Sequence, residues 1–318
     1  MQVVRVFFML CAMVFIAMNV KSQLIDVSNS LSLEPDHTGG FLGTGVSFAD
    51  FNGDDIDDLT FGHHAGQLRF YAGYYDAAVS GFQELTLNIS NDISEAKMVL
   101  WADIDNDGDQ DFLVTNRLAS NKIWRNDGDI QFTDVTESSG ISTQDNTRSY
   151  GASFGDFNND GFLDLYICNY HTYVDFSTNE LYQNNGDGTF TDVTAIAGVG
   201  NGLAQTFQST FIDINNDGYL DLHVINDRVD CPNVFYKNNG DGTFTDMAVI
   251  WGVNLTILAM SSSFGDYDRD GDMDLYVTNG SDGNSFLRND LKTSGFFVEI
   301  AEQENVEVDQ ICWGASWF

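Results

Sequence analysis

A nine-residue acidic pattern, Asp-x-(Asp/Asn)-x-Asp-(Gly)-x-x-Asp, occurs five times in this chain of 318 residues. Its first residues stand at 50, 103, 156, 213 and 266, so the pattern returns every 53 or 57 residues. A period of this size is typical of a propeller or a solenoid, in which one supersecondary unit stacks on the next. The repeat therefore constrains the fold of the whole chain rather than of one segment.

Oxygen-bearing side chains occupy positions 1, 3, 5 and 9 of each pattern, and calcium takes roughly six to eight oxygen ligands. Several carboxylates crowded into nine residues repel one another unless a cation neutralises them. No loop contains Cys or His, which argues against zinc, copper or iron; magnesium is the alternative, although it prefers a stricter octahedron. The variable position 7 suits a backbone carbonyl ligand. The predicted ligands of up to five calcium ions are Asp50, Asn52, Asp54, Ile56 and Asp58; Asp103, Asp105, Asp107, Asp109 and Asp111; Asp156, Asn158, Asp160, Phe162 and Asp164; Asp213, Asn215, Asp217, Tyr219 and Asp221; and Asp266, Asp268, Asp270, Asp272 and Asp274.

The loops are not EF-hands, which carry Glu at position 12 between two helices. Here position 12 is apolar and lies in runs typical of strands, as at Val114 and Ile167. A second interpretation is that Asp-Asn-Asp-Gly is only a favourable turn sequence. Five copies in register favour a metal site over a turn. The first loop departs most from the pattern, because Asp55 replaces Gly at position 6.

The remaining parts of each repeat also recur in order. Gly-x-Ser-Phe-x-Asp precedes the acidic loop, an apolar strand such as Leu163–Ile167 follows it, and the phrase Asn179–Thr194 contains Asn-Gly-Asp-Gly, a hairpin signal. This order predicts four short strands, a to d, with the acidic loop between a and b. Sustained helical periodicity is absent after residue 22. We therefore predict an all-β fold, a β-propeller of four-stranded antiparallel blades. A β-solenoid is the alternative, but its coils are usually shorter.

The two chain ends carry copies of internal phrases. Leu24–Ser28 matches the d-strand phrase Phe132–Thr136, and such a strand would complete the last blade of a closed ring. Gly314–Phe318 matches Gly151–Gly155, and the next acidic loop would begin at residue 319. The expectation is about five blades plus the start of a sixth, in a propeller truncated at its C-terminus.

Composition limits the compartment and the partners. Residues 1–22 combine Arg5 with an apolar run from Val6 to Ala17, which predicts a secretory signal peptide followed by a propeller domain at 23–318. No later stretch is long and apolar enough to span a membrane. The formal net charge is −35 with 13 Lys and Arg, and no basic cluster appears in the sequence. These features exclude nucleic acid as a partner. The three cysteines after residue 22 permit at most one internal disulfide.

Gly-x-Ser-Phe-x-Asp followed by Asp-x-Asn-x-Asp-Gly-x-x-Asp-Leu resembles the FG-GAP repeat, also called the VCBS repeat, of integrin α propellers. The Asn179–Thr194 phrase resembles the subgroup that includes cartilage acidic protein and the bacterial ASPIC/UnbV proteins. The resemblance covers roughly residues 24–318. It implies a seven-bladed parent propeller with calcium in the a–b loops, secretion or surface display, and adhesion or carbohydrate binding. It does not identify a ligand, because one fold hosts many functions.

We expect a secreted or cell-surface calcium-binding module that binds an extracellular protein or glycan, and not an enzyme. The alternative is a calcium-stabilised accessory domain of a secreted polysaccharide-degrading enzyme. In an a–b–c–d meander the variable b–c and d–a connections share one face, opposite the acidic loops. That face includes the links around Tyr150 and Phe207. Its aromatics serve either recognition or coverage of the core. The adjacent His63 and His64 touch a ligand, touch a transition metal or belong to a solvated loop. The candidate ligand-face residues are His63, His64, Tyr170, His171 and Tyr173.

Overall fold

The computed structural model describes residues 44–62, 68–75, 80–89, 95–145, 147–172, 177–280, 282–308 and 310–317, together with Ser28, Leu31 and Leu33. Residues 1–34 form one compact unit and residues 35–318 a second. In the first unit the amides of Leu31 and Leu33 donate to the carbonyl oxygen of Ser28. The predicted d-strand at Leu24–Ser28 lies outside the described residues except for Ser28, and so does the predicted signal peptide.

The described part of the second unit contains five four-stranded sheets, and in each sheet consecutive strands pair antiparallel. This is the blade architecture of a β-propeller, so the predicted fold class is confirmed. The strands are β1 (Val46–Ala49), β2 (Asp58–Phe61), β3 (Arg69–Tyr75) and β4 (Ser80–Leu85) in blade 1; β5 (Ala96–Ala102), β6 (Asp111–Asn116), β7 (Lys122–Asn126) and β8 (Phe132–Asp134) in blade 2; β9 (Ser149–Gly155), β10 (Asp164–Asn169), β11 (Glu180–Asn184) and β12 (Phe190–Asp192) in blade 3; β13 (Thr206–Ile212), β14 (Asp221–Asn226), β15 (Val234–Asn238) and β16 (Phe244–Asp246) in blade 4; and β17 (Ser262–Gly265), β18 (Asp274–Val277), β19 (Ser285–Asp290) and β20 (Phe296–Glu299) in blade 5.

The hydrophobic core lies between consecutive blades. One cluster joins Ile104 and Leu113 of blade 2 to Leu165 and Tyr182 of blade 3. Similar clusters join blades 1 and 2, blades 3 and 4, and blades 4 and 5. Because both faces of each inner blade are covered, the second strands are continuously buried, as in β10 (Asp164–Asn169). Burial on both faces explains why these strands read as apolar runs rather than as alternating patterns.

The glycine of the Gly-x-Ser-Phe phrase allows the first strands of neighbouring blades to approach closely. A Cβ added to Gly151 would lie 2.3 Å from the carbonyl oxygen of Phe207, and one added to Gly45 would lie 2.7 Å from that of Lys97. Any larger residue would therefore push two blades apart at their inner edge.

Short helical turns, which were not predicted from the sequence, follow the fourth strands of blades 2 to 5. Each turn is only four residues long, too short to produce a helical period in the sequence. They are α1 (Thr136–Ser139), α2 (Thr194–Ala197), α3 (Ala248–Trp251) and α4 (Ala301–Glu304).

Two features next to blade 5 bear on the predicted start of a sixth blade. Residues 310–317 form no strand, so the expected start of a sixth blade stays a prediction. The ring of Trp317 nevertheless packs on Phe286 with centroids 5.6 Å apart and sits against Gly265, as Phe211 sits against Gly155 in blade 3. The three cysteines among the described residues, Cys168, Cys231 and Cys312, are free thiols.

Candidate functional site

All five acidic loops lie between the first and second strands of their blades, as predicted. The residue at position 1 organises each loop. In the second loop, Asp103 Oδ1 accepts from the Asp107 amide at 3.1 Å and Asp103 Oδ2 accepts from the Gly108 amide at 3.0 Å. The same two bonds recur at Asp50, Asp156, Asp213 and Asp266. The chain is thus wound around the first carboxylate, which fixes the positions of the following side chains.

The backbone takes the left-handed conformation twice in every loop, at positions 4 and 6. In the second loop these are Asn106 (φ 59°) and Gly108 (φ 96°). Position 4 is Gly, Asn or Arg, and its left-handed conformation was not predicted from the sequence. At position 6 of the first loop, Asp55 adopts φ 66°, a conformation that Asp tolerates better than most side chains. The substitution of Gly by Asp55 therefore leaves the first loop with the same hydrogen bonds as the others.

The carboxylate at position 9 is buried at the start of each second strand. Asp111 Oδ2 accepts from the Ile104 amide at 2.9 Å, and Asp111 Oδ1 accepts from the Asn126 amide of the third strand at 2.7 Å. Burial raises the pKa of Asp111 to about 7. The pKa of Asp164 and of Asp221 is likewise raised to about 7. A buried carboxylate of this kind is stabilised in its charged form by a nearby cation.

Positions 1, 3 and 9 converge. Carboxylate oxygens of Asp103, Asp105 and Asp111 all lie within 4.8 Å of one another, and those of Asp266, Asp268 and Asp274 do the same in the fifth loop. In the other three loops position 3 is Asn, which offers an amide oxygen instead. Position 5 behaves differently, because its Oδ1 accepts from the amide at position 7, as Asp160 does from Phe162 at 3.0 Å.

Some oxygens in the loops are buried and have no hydrogen-bond donor. They are Oδ1 of Asp105 and of Asn215, both at position 3, and Oδ1 of Asp272 at position 7. An acceptor buried without a donor is unfavourable by about 1–3 kcal/mol. A hard cation accepts lone pairs from such oxygens, so the donor set fits an ion that is coordinated by oxygen. The residues that could hold it are those at positions 1, 3 and 9, with position 7 contributing in the fifth loop.

Asparagines at the ends of the third strands connect the loops of neighbouring blades. Asn184 Nδ2 donates to the carbonyl oxygen of Leu163 in its own loop at 3.1 Å and to that of Ile104 in the preceding loop at 2.7 Å. Asn238 and Asn289 make the equivalent pairs of bonds. From the sequence, this Asn was assigned only to a turn phrase. Its recurrence before Asn-Gly-Asp-Gly was the available signal.

Comparison with known proteins places this repeat in a family. The FG-GAP-like repeat matches residues 62–167, 171–224 and 213–277. The chain belongs to the FG-GAP-like repeat family. The family predicted from the Gly-x-Ser-Phe and acidic-loop phrases is therefore confirmed.

Relatives of this FG-GAP-like chain are distant. Human cartilage acidic protein 1 is 25% identical over 173 residues, which are 51% of this chain and 25% of that protein. The chain thus matches about a quarter of its relative's length. Among solved structures, BBS1N in complex with ARL6DN is 10% identical with a TM-score of 0.49, covering 79% of this chain and 67% of that one. The Vibrio cholerae biofilm matrix protein Bap1 is 19% identical with a TM-score of 0.41, covering 76% and 36%.

The opposite face of the FG-GAP-like blades carries two of the predicted ligand-face residues. Tyr170 is buried and packs with Tyr150 and Phe207, with ring centroids 5.2 Å from each. His171 is half-buried, and its amide donates to the Ala204 carbonyl oxygen at 3.0 Å. The other three candidates, His63, His64 and Tyr173, lie outside the described residues.

Folding brings basic side chains together on this face, although the sequence contains no basic cluster. Arg117, Arg148 and Arg228 line one pocket of about 350 Å³ together with Tyr150 and Tyr170. The arginines come from three successive blades and are far apart in sequence, so only folding brings them together. Separately, none of the helices in the described part of the chain has the length and apolar character needed to cross a bilayer.

Proposed function

We propose that this chain is a secreted or cell-surface calcium-binding propeller that acts as a binding module for an extracellular protein or glycan. The observation that carries the calcium assignment is the loop geometry. Three side chains converge within 4.8 Å in the second and fifth loops, and Asp105 and Asn215 each bury an oxygen that has no donor. Calcium would supply the missing positive charge and hold the first and second strands of each blade together.

Calcium has a structural role in this proposal, because the position 1 and position 9 carboxylates are already bonded to backbone amides of their own blade. Asp164 accepts from Phe157 and Asn184, which belong to the loop and to the third strand. Removing the ion would therefore loosen a blade rather than abolish a reaction. We accordingly assign binding, not catalysis, to this domain.

The binding surface in this proposal is the face opposite the acidic loops. The loop face is nearly the same in every blade, with the same amide bonds to position 1. The opposite face differs from blade to blade in length and composition, as in the segments 169–178 and 226–232. Selectivity for one ligand requires such differences, and loops held by a rigid scaffold commonly supply them.

Calcium dependence of the melting temperature tests the proposal. Protein dialysed against a chelator should melt at least several degrees lower than protein in excess calcium, because a ligand that binds only the folded state stabilises it. Magnesium at the same concentration should restore less of the loss. An unchanged melting curve after chelation, checked by metal analysis of the dialysed sample, would show that the loops are only turns.

Secretion needs its own measurement. Expressed from its first residue in a secreting host, the mature protein should begin at Gln23, which N-terminal sequencing of the culture medium would detect. Retention of the intact N-terminus inside the cell would contradict the secreted assignment.

A further inference from the structure

The arginine pocket lies at the opposite end of the strands from the acidic loops. It is formed where first strands begin and second strands end. Arg117 follows β6, Arg148 precedes β9, and Asp227 and Arg228 follow β14. Backbone hydrogen bonds hold these segments together, since the Leu118 amide of blade 2 donates to the carbonyl oxygen of Thr147, just before blade 3, at 2.8 Å. The lining residues are therefore held by the scaffold rather than by a free loop.

The charge of the pocket is opposite to that of the chain. Three arginines and one carboxylate, Asp227, line it, whereas the whole chain has a formal net charge of −35. Arg117 pairs with Glu95 at 2.9 Å, and Arg228 pairs with Asp227. The Nε of Arg148 is buried and has no hydrogen-bond partner among the described residues. A guanidinium held in this way is suited to bind an anionic group, and a carboxylate matches its planar fork.

The pocket also contains an acceptor that no described residue satisfies. Asp227 is 4% exposed, and its Oδ2 accepts from the Tyr170 hydroxyl at 2.7 Å. Its Oδ1 is buried without a donor. A buried carboxylate oxygen on a pocket wall is satisfied by an O–H or N–H group of a ligand. The ligand therefore carries a hydrogen-bond donor close to its anionic group.

Aromatic rings form the rest of the wall. Tyr150, Tyr170 and Phe207 pack against one another with centroid separations of 5.2–5.3 Å. Trp313 also lines the pocket, with 55% of its surface exposed. Large exposed aromatic surface next to a pocket is typical of recognition sites that pack on a flat, partly apolar ligand.

We propose that this pocket binds a uronic acid residue of an acidic polysaccharide. Arg148 and Arg117 face its carboxylate, Asp227 Oδ1 accepts from a ring hydroxyl, and Trp313 and Phe207 pack on the apolar C–H face of the sugar. The inference rests on the proposed binding function and names the ligand class of that face. A sugar is favoured over an acidic peptide because one pyranose ring combines a carboxylate, neighbouring hydroxyl donors and a flat apolar face within a pocket of about 350 Å³.

Calorimetric titration of the full chain in excess calcium tests the inference. The probes are short oligosaccharides of galacturonate, glucuronate, mannuronate and guluronate, with their carboxyl-reduced neutral counterparts and a triglutamate peptide. We expect binding of at least one uronate, no binding of its neutral counterpart, and weaker binding at high salt. Equal binding of triglutamate would overturn the sugar assignment, and binding of no uronate in the panel would overturn the whole inference.

Matched variants locate the site. Arg148→Gln should weaken uronate binding about tenfold or more, because it removes a charge-assisted pair. Trp313→Ala should weaken it about threefold, and it removes a side chain that is mostly exposed and belongs to none of the core clusters. Arg125→Gln is the control, because Arg125 pairs with Asp127 in the c–d turn of blade 2. Unchanged affinity in both pocket variants would overturn the site.

The same samples separate this inference from the calcium proposal. Uronate binding that survives Arg148→Gln but disappears on chelation would place the sugar at the acidic loops and contradict the pocket assignment. A calcium-dependent rise in melting temperature without uronate binding would refute this inference alone. Absence of the calcium effect would refute the proposed calcium role, whatever the sugar result.

Discussion

At the scale of single residues, two aspartates in blade 3 occupy similar turns with different surroundings. Asp160, at position 5 of the acidic loop, accepts from the Phe162 amide at 3.0 Å. Asp187, in the c–d turn, accepts from the Thr189 amide at 3.1 Å and from its hydroxyl. Both bonds run from residue i+2 to residue i, so the two positions differ mainly in their relation to the predicted ion.

This pair gives a direct test of the ligand assignment. In excess calcium, Asp160→Ala should lower the free energy of unfolding by about 1–2 kcal/mol more than Asp187→Ala, because only Asp160 belongs to the ligand set that the sequence predicts. In chelator the two variants should become nearly equal. Urea denaturation of both proteins under both conditions measures the difference. Equal losses in calcium would remove position 5 from the ligand set.

Glu180 provides a pH-dependent contribution away from the acidic loops. Burial raises its pKa from 4.5 to about 7, with an opposing hydrogen bond from Asn169. At pH values between these two pKa values, Glu180 is therefore protonated in the folded state and ionised in the unfolded state. The contribution of Glu180 to stability is complete below its ordinary pKa and is lost as the pH rises through about 7.

Glu180→Gln should accordingly stabilise the protein at high pH only. With calcium in excess to keep the loops loaded, we expect a gain of about 1–3 kcal/mol near pH 8 and no difference near pH 4. The exposed Glu137→Gln is the control and should change neither value. Thermal melts across this range decide the matter, and a gain that is the same at every pH would contradict the assignment.

At the scale of elements, an asparagine that recurs at the end of third strands joins neighbouring blades. Asn184 is 1% exposed and bonds two carbonyl oxygens from different blades. The backbone amide of Asn184 also donates to Asp164 Oδ1. In blade 1 the backbone amide of Gly73 makes the equivalent bond to Asp58 Oδ1, but glycine has no side chain to make the other two. The asparagine therefore links a blade to the one before it.

Removing this link should be costly. Asn184→Ala leaves the carbonyl oxygens of Ile104 and Leu163 buried without that donor, so we expect a loss of about 2–3 kcal/mol in the free energy of unfolding. Asn185→Ala is the matched control and should lose less than about 1 kcal/mol, because the exposed Asn185 side chain bonds only to Thr189 and Thr191 of its own hairpin. Chemical denaturation gives both values, and similar losses would show that the contact between loops is not stabilising.

The elements also show what the sequence could and could not predict. The a–b position of the acidic loops and the c–d hairpin at Asn184–Thr189 follow from local turn chemistry and were predicted. The pocket arginines were not predicted, because Arg117, Arg148 and Arg228 meet only across blades. The role of Asn184 was missed for the same reason, since its partner Ile104 is 80 residues away. Contacts between repeats leave no spacing signal within one repeat.

At the scale of the whole molecule, charge is the dominant property. The formal net charge of −35 is concentrated in part on the loop face, where each loop carries at least three acids within nine residues. Such a charge destabilises a compact state by self-repulsion. Five calcium ions would reduce it to −25, because each contributes two positive charges. The proposed ions would therefore act on the molecule as a whole as well as on each blade.

This self-repulsion predicts opposite sensitivities to salt with and without calcium. In chelator, raising sodium chloride from about 0.02 M to about 0.5 M should raise the melting temperature by several degrees, because the shorter Debye length screens the repulsion among the loop carboxylates. In saturating calcium the bound ions offset part of the loop charge, so the same salt should change the melting temperature much less. Calorimetric scans of one protein sample in four buffers measure both effects, and potassium chloride in place of sodium chloride controls for ion-specific binding. A salt response of the same size in both states would mean that the loop carboxylates do not limit the stability of the calcium-free propeller.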